Sequence, residues 1–297
     1  MELLATGFNA WHQLQFDKED KSGEPDDIIS FRLILKDNCI ERPVSLLSCT
    51  FVETTTGIRQ AGFIDNASEA IRDNLLSATA AIAGNGIVAE YDGHDIIRQY
   101  LSTSPGEYQA FSGMGQITQV VAYETGFAAL SQDGRVWTWG DERYSACLGR
   151  TVTDSSPAER PGIVEELEDL PSGRIKRIGA AGYLILALTE GDDLYAWGGH
   201  PGRPAILEGL SSSPIPIVVD EDSDITDFGV GESHIIALTS NSDVYVIGDN
   251  TNGQLGLSIK EARSWTKIHL HLGVDRVTCS VGAGGRTSFI LTKNQIL

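Results

Sequence analysis

Apolar residues along this chain gather in short runs broken by polar turns, and one arrangement of run and turn recurs. It reads AALSQDGRVWTWGD from Ala128, LALTEGDDLYAWGG from Leu186 and IALTSNSDVYVIGDN from Ile236. Each copy is an apolar strand, a polar turn, a second apolar strand with an aromatic, and a glycine. The closing glycines Gly140, Gly198 and Gly248 are spaced by 58 and 50 residues. Periods of roughly 40–50 residues built from β units predict a propeller or a related array. A run such as LILALT is apolar at nearly every position, as expected of a strand covered on both faces.

One full unit spans residues 175–219. A first strand IKRIGAA leads through Gly182 to YLILALT, then to LYAWG, and after a polar excursion to PIPIVV. That is four short strands, the content of one blade. The next unit starts at Ile225, and a half unit, RVTCSVGAGGRTSFILTKNQIL, follows it. The missing half is expected at the other terminus, because Gly7, Asn9, Gln13 and Leu14 repeat the spacing of Gly248, Asn250, Gln254 and Leu255. Pairing the two ends would remove open sheet edges. Residues 28–110 read as two degenerate blades, with a short helical insertion at 68–78. The predicted fold is all-β: a closed β-propeller of six or seven four-stranded blades, its N-terminal strand completing the last C-terminal blade. It reads as a single domain over 1–297, with 1–16 closing on 275–297, 28–110 degenerate and 117–274 clearly repeated.

These residues resemble the repeat of the regulator-of-chromosome-condensation propellers. Ala237-Leu238-Thr239, Val244-Tyr245 and Asn250-Thr251-Asn252-Gly253-Gln254-Leu255-Gly256 follow its pattern, as do Ala129-Leu130-Ser131, Asp133-Gly134 and Trp137-Thr138-Trp139-Gly140. The copy ending at Gly198 departs from it, reading GHPGRPAILEG without Q-L-G. The resemblance covers 117–297 and 1–16 well and 28–110 weakly. It implies a platform for protein partners. One such member partners a small zinc protein of tRNA-modification and diphthamide pathways, and the founding member looks like a nucleotide-exchange factor for a small GTPase. The expected function is therefore a non-enzymatic interaction scaffold, with exchange of guanine nucleotide as the alternative.

Charge narrows the partners. The formal net charge is −19 over 297 residues, which argues against direct nucleic-acid binding and against anionic membrane. Cys39, Cys49, Cys147 and Cys279 include no CxxC pair, so reduced thiols are expected. No apolar run is long enough to span a bilayer, and the start MELLATGFNAWHQ lacks a basic n-region and a long apolar stretch. A cytoplasmic or nuclear monomer or heterodimer without a cofactor is expected.

Candidate chemistry mostly dissolves into the repeat. Aligning copies places Gly126, Leu184 and Thr287 opposite His234, so His234 is expected to pack against a neighbouring blade and not to catalyse. His269 and His271 in HLHLG have no third ligand nearby. GAGGRTS at 282–288 occupies the repeat's own turn and lacks the GK[ST] ending of a phosphate loop. Trp137, Trp139 and Trp197 fall at core spacing. Two acidic runs stand out, Glu165, Glu166, Glu168, Asp169 and Asp220, Glu221, Asp222, Asp224. Both follow an outermost strand, and so share a blade end with the turns holding Asp133, Glu190, Asp192, Asp193 and Asp243. Such an end should attract a protein partner with a basic docking surface. Trp11 and Trp265 lie in polar segments and are candidate exposed anchors. A third acidic stretch, residues 17–27, is expected at the other blade end.

Overall fold

The computed structural model describes residues 1–16, 25–273 and 275–295; most of the acidic stretch 17–27 lies outside them. Among the described residues the strands form six antiparallel sheets, each a propeller blade. Numbered along the chain, blade 1 spans 44–62, blade 2 spans 80–111, blade 3 spans 117–163, blade 4 spans 175–217 and blade 5 spans 225–268. Blade 6 joins the two ends, with strands Arg276–Gly284, Thr287–Asn294, Glu2–Gly7 and Ile28–Lys36 from first to outermost. Six blades is thus the count, and the N-terminal strand is built into the last one. Glu2–Gly7 pairs with Thr287–Thr292 in unbroken register.

Blades 2 to 6 have four strands each and blade 1 has three. After Gly62 the chain turns into two short helices, Asn66–Ala70 and Arg72–Leu76, where the insertion was expected. Contacts divide the chain into two compact units. Blades 5, 6 and 1 fall in Met1–Glu69 with Val219–Leu297, and blades 2, 3 and 4 in Ala70–Val218.

Within each unit the cores lie between neighbouring blades. Phe111 and Ile97 of blade 2 meet Phe127 and Trp139 of blade 3, and Leu130 of blade 3 meets Ile185 and Trp197 of blade 4. In the other unit, Ile236 and Val246 pack with Val281 and Ile290, and Leu3 and Phe289 with Val52. Trp139 and Trp197 are buried as expected. Their indole N–H groups donate to the Gln99 side chain at 2.7 Å and the Cys147 carbonyl at 3.1 Å. Trp137 is half-buried.

The repeat's closing glycine is required for two different reasons. Gly248 has φ +114°, and a Cβ there would lie 2.3 Å from the Ser233 carbonyl oxygen. Gly140 has ordinary φ, but a Cβ would lie 2.4 Å from the Tyr123 hydroxyl. The loop after it is the same structure in blades 5 and 6. The Asn250 side-chain oxygen accepts from Leu255 N–H at 2.7 Å, and that of Asn9 accepts from Leu14 N–H at 3.0 Å. Gln254 accepts from Asn252 N–H and Gln13 from Trp11 N–H, both at 2.9 Å. Four buried side chains making the same bonds account for the shared G-x-N-x-x-x-Q-L.

Candidate partner-binding site

The acidic runs occupy the connections that carry the chain from one blade to the next. In blade 3 the outermost strand Gly162–Ile163 runs into a 3-10 turn, Glu165–Leu167. Leu167 is buried there while Glu165, Glu166, Glu168 and Asp169 are exposed. One apolar anchor therefore fixes the turn and leaves its carboxylates in water. Asp169 sits at φ +57°, a backbone region that Asp tolerates better than most residues. In the other unit Val219 is buried, Asp220 is half-buried, and Glu221, Asp222 and Asp224 are exposed.

The connections do share a blade end with the turns between second and third strands. Arg135, in such a turn, bridges Glu168 at 3.1 Å and Asp133 at 3.5 Å. The Tyr245 hydroxyl donates to Asp220 at 2.9 Å, and that bond holds the Asp220 carboxyl below the usual carboxylate range.

Electrostatically, turns and connections differ. The turn carboxylates Asp133, Glu190, Asp192 and Asp243 have local cations, and among the described residues Asp193 does not. Glu190 faces Arg174 at 3.8 Å, Asp192 pairs with Lys176, and Asp243 lies 2.6 Å from Lys267. The Asp243 contact raises the Lys267 ammonium above its ordinary value. Among the described residues Glu165, Glu166, Asp169, Glu221, Asp222 and Asp224 face no cation. Uncompensated charge thus concentrates in the connections.

Trp11 and Trp265 do not join the acidic runs. Trp11 lies at the opposite blade end, in the connection between Glu2–Gly7 and Ile28–Lys36 of blade 6. It is 48% exposed, with its ring centroid 5.9 Å from that of Phe63, itself 58% exposed. Trp265 is half-buried in the outermost strand Glu261–Ile268 of blade 5.

His234 packs in a blade seam as its slot predicts. It pairs with Gly248 across the sheet, as Gly126 does with Gly140, Leu184 with Gly198 and Thr287 with Gly7. Its Nε2 lies 2.9 Å from Ser288 Oγ and 3.2 Å from the Thr287 carbonyl of blade 6, while Nδ1 is buried without a partner. Burial pushes the imidazole down to about 4. His269 and His271 are exposed and lie beyond the end of strand Glu261–Ile268, and no metal-binding group of His, Cys, Asp or Glu occurs among the described residues. The cysteines are free thiols, Cys49 and Cys147 buried and Cys39 exposed. No helix among the described residues is long and apolar enough to cross a membrane.

Two features escaped the sequence. One is a polar tie across the seam of blades 5 and 6. Buried Asp227 accepts two hydrogen bonds from the Arg42 guanidinium at 2.8 Å, one from Ser280 Oγ at 2.7 Å and one from Val281 N–H at 2.9 Å. The other is an aromatic cluster of Tyr144, Tyr183 and His200. Tyr144 stands four positions after Gly140, as Trp11 stands four after Gly7, and that shared offset was a readable signal.

Six blades of short antiparallel strands, with their surface chemistry in the connections, define a repeat propeller. The model of the regulator of chromosome condensation repeat matches residues 225–254, which is blade 5 through its Q-L loop. The mouse regulator of chromosome condensation is 31% identical over 130 residues, covering 43% of this chain and 30% of that protein. The Arabidopsis thaliana ultraviolet-B receptor UVR8 is 30% identical over 149 residues, covering 50% of this chain and 32% of the receptor. Each match thus spans less than a third of the relative's length. Among solved structures, Prp20p from Saccharomyces cerevisiae aligns over all of this chain and 92% of its own, with TM-score 0.65 at 15% identity. Human WBSCR16 aligns over 98% and 82%, with TM-score 0.61 at 17% identity. Residues 225–254 thus carry the regulator-of-chromosome-condensation repeat, and the whole chain is similar in fold to propellers such as Prp20p.

Proposed function

We propose that this chain is a non-enzymatic interaction scaffold whose acidic connections each offer a docking point to a basic surface of a protein partner. The observation that carries the reading is the split between compensated turns and uncompensated connections. Glu165, Glu166, Asp169, Glu221, Asp222 and Asp224 hold charge that no neighbouring cation satisfies. Glu168 and Asp220 frame the runs, while Trp11 and Trp265 stand apart from them and would anchor a partner separately. A field of one sign speeds encounter with a partner of the other. In its finer form the chain is a regulatory subunit, cytoplasmic or nuclear, paired with a small partner. The family resemblance names a zinc protein of tRNA-modification and diphthamide pathways as the example.

Affinity purification with mass spectrometry identifies the partner. Recovery of a small protein with a basic face supports the reading. A partner whose affinity and salt dependence are unchanged by Glu165→Lys with Glu166→Lys, and by Glu221→Lys with Asp222→Lys, refutes it.

A second reading, guanine-nucleotide exchange on a small GTPase, draws support from the likeness to Prp20p, a structure described together with its binding to Gsp1p and histones. That likeness is one of fold, and a fold hosts many functions. Accelerated nucleotide release from a small GTPase by the purified chain would establish this reading over the scaffold.

A further inference from the structure

The blade end opposite the acidic connections carries the aromatic cluster in the unit Ala70–Val218. Tyr144 comes from the 3-10 helix Glu142–Leu148 of the blade 3 connection. Tyr183 comes from the turn joining Ile175–Ala181 to Leu184–Thr189, and His200 follows the closing glycine of blade 4. The rings meet with centroids 4.8 Å apart for Tyr144 and Tyr183, 5.5 Å for Tyr144 and His200, and 4.7 Å for Tyr183 and His200, the last edge-on. The Arg203 guanidinium lies 5.9 Å from the Tyr183 centroid. The three rings are half-buried and Arg203 is exposed.

Backbone hydrogen bonds hold this cluster in place. The Tyr183 carbonyl accepts from Gly199 N–H at 2.8 Å, and the Gly182 carbonyl accepts from Glu124 N–H at 2.6 Å. Tyr144 N–H donates to the Asp141 carbonyl at 3.0 Å, and the Asp141 carboxylate caps the helix at Arg143 N–H, 2.9 Å away. Desolvation, together with the neighbouring Tyr144 phenol, pushes the Tyr183 hydroxyl up to about 12. A surface already ordered loses little entropy when something binds it.

Apart from the phenol oxygens and the Glu124 carboxylate near Tyr183, its unused hydrogen-bonding groups are donors. His200 Nδ1 accepts from Gly202 N–H at 3.0 Å, which places the ring proton on Nε2, and Nε2–H has no partner among the described residues. Arg203 likewise faces no carboxylate there, whereas Arg135, Arg143, Arg174 and Lys176 of the same unit each do. An unpaired guanidinium over a tyrosine ring, beside an imidazole N–H, matches a carboxylate flanked by a flat apolar group. A methylated ammonium does not fit, because the rings pack on one another instead of opening a cage, and Arg203 repels it.

We propose that Tyr144, Tyr183, His200 and Arg203 form a docking site for an acidic segment of a protein partner. An Asp or Glu side chain sits on Arg203 and His200 Nε2–H, and its apolar neighbour lies on the tyrosine rings. Three half-buried rings and one arginine offer on the order of a few hundred Å². That is below the roughly 800 Å² per partner of a standard interface, so the site suits one extended segment and not a second copy of the chain. The repeat supports an outward-facing role for this position, since Trp11 at the same offset is also exposed beside a second ring. The site does not depend on the acidic connections, and either can fail alone.

The test is carbon-13 NMR of the histidine Cε1–H groups in the full chain, where six histidines give a simple spectrum. His200→Gln assigns the signal. The probes are two blocked peptides, EEFDDE and KKFKKK. The expected result is a shift of the His200 signal with EEFDDE that KKFKKK does not reproduce. Arg203→Glu should weaken that titration by about tenfold or more, and Arg203→Lys should keep part of it. Absence of the shift, an equal shift with KKFKKK, or an unchanged titration in Arg203→Glu overturns the proposal. Arg203 is exposed, so its variants leave the fold intact.

Discussion

Asp222 and Asp227 sit close together in sequence, on either side of the entry to blade 5, and meet opposite environments. Asp222 is exposed in a connection where no cation compensates it. Asp227 is buried and bound by Arg42, Ser280 and the Val281 amide. The same side chain ties two blades together in one place and presents bare charge in the other. Burial makes the difference: a carboxylate out of water must be paired and hydrogen-bonded, and one in water need not be. The seam is therefore where substitutions should cost stability, and the connections are where they should cost binding.

The sharpest way to break that contrast is Asp227→Ala. It removes the carboxylate that pairs with Arg42 and accepts from Ser280 Oγ and the buried Val281 N–H, leaves Arg42 only the Phe228 and Val281 carbonyls, and should destabilise the fold by roughly 3–5 kcal/mol, read as a lowered urea midpoint. Asp222→Ala should leave the midpoint within about 0.5 kcal/mol of the parent.

Next in size is acid. His234 titrates near 4 in the fold against about 6.5 in an unfolded chain. Its folded pKa is depressed, so its contribution is complete above pH 6.5 and is lost as pH falls from there toward 4. The loss should reach on the order of 3 kcal/mol. His234→Leu, copying Leu184 in the matching slot of blade 4, should flatten the dependence of the urea midpoint on pH across that window. An unchanged pH profile in His234→Leu would assign the acid sensitivity elsewhere.

Gly248→Ala comes third. It meets both a left-handed φ and the Ser233 carbonyl, and should cost about 1–3 kcal/mol, measurable by thermal melting. Smallest in stability, but decisive for binding, is Glu165→Lys with Glu166→Lys. The fold should keep its melting temperature, while association with a basic partner slows about tenfold and loses much of its salt dependence in stopped-flow measurements.

The blades were legible where strand periodicity and the closing glycine survive together, as in 117–268. The outermost strand Ile28–Lys36 of blade 6 was not. Of its residues Ile29, Ser30, Arg32, Leu33 and Lys36 are exposed, so no apolar alternation marks a buried face. The equivalence of the two Q-L loops could be read because each polar side chain there closes a local bond to its own backbone. The Arg42–Asp227 tie could not, because its partners come from two blades and a connection far apart in sequence, and no local rule pairs them. Of the candidate site, the acidic runs were visible as composition. Which carboxylates are neutralised was not visible, since Arg135, Arg174, Lys176 and Lys267 reach them only through the fold.

Blade 6 also sets an order of events. Strand Glu2–Gly7 precedes both its neighbours in the sheet, and its partner Thr287–Asn294 lies up to 290 residues further along. Contacts so distant in sequence are slow to form, because a long loop must close before they stabilise anything. Leu3 and Ala5, fully buried once paired, stay exposed on the nascent chain until then. Strand Glu2–Gly7 is thus a stretch in need of protection until its partner is made, and blade 6 should be the last blade to acquire protection from hydrogen exchange.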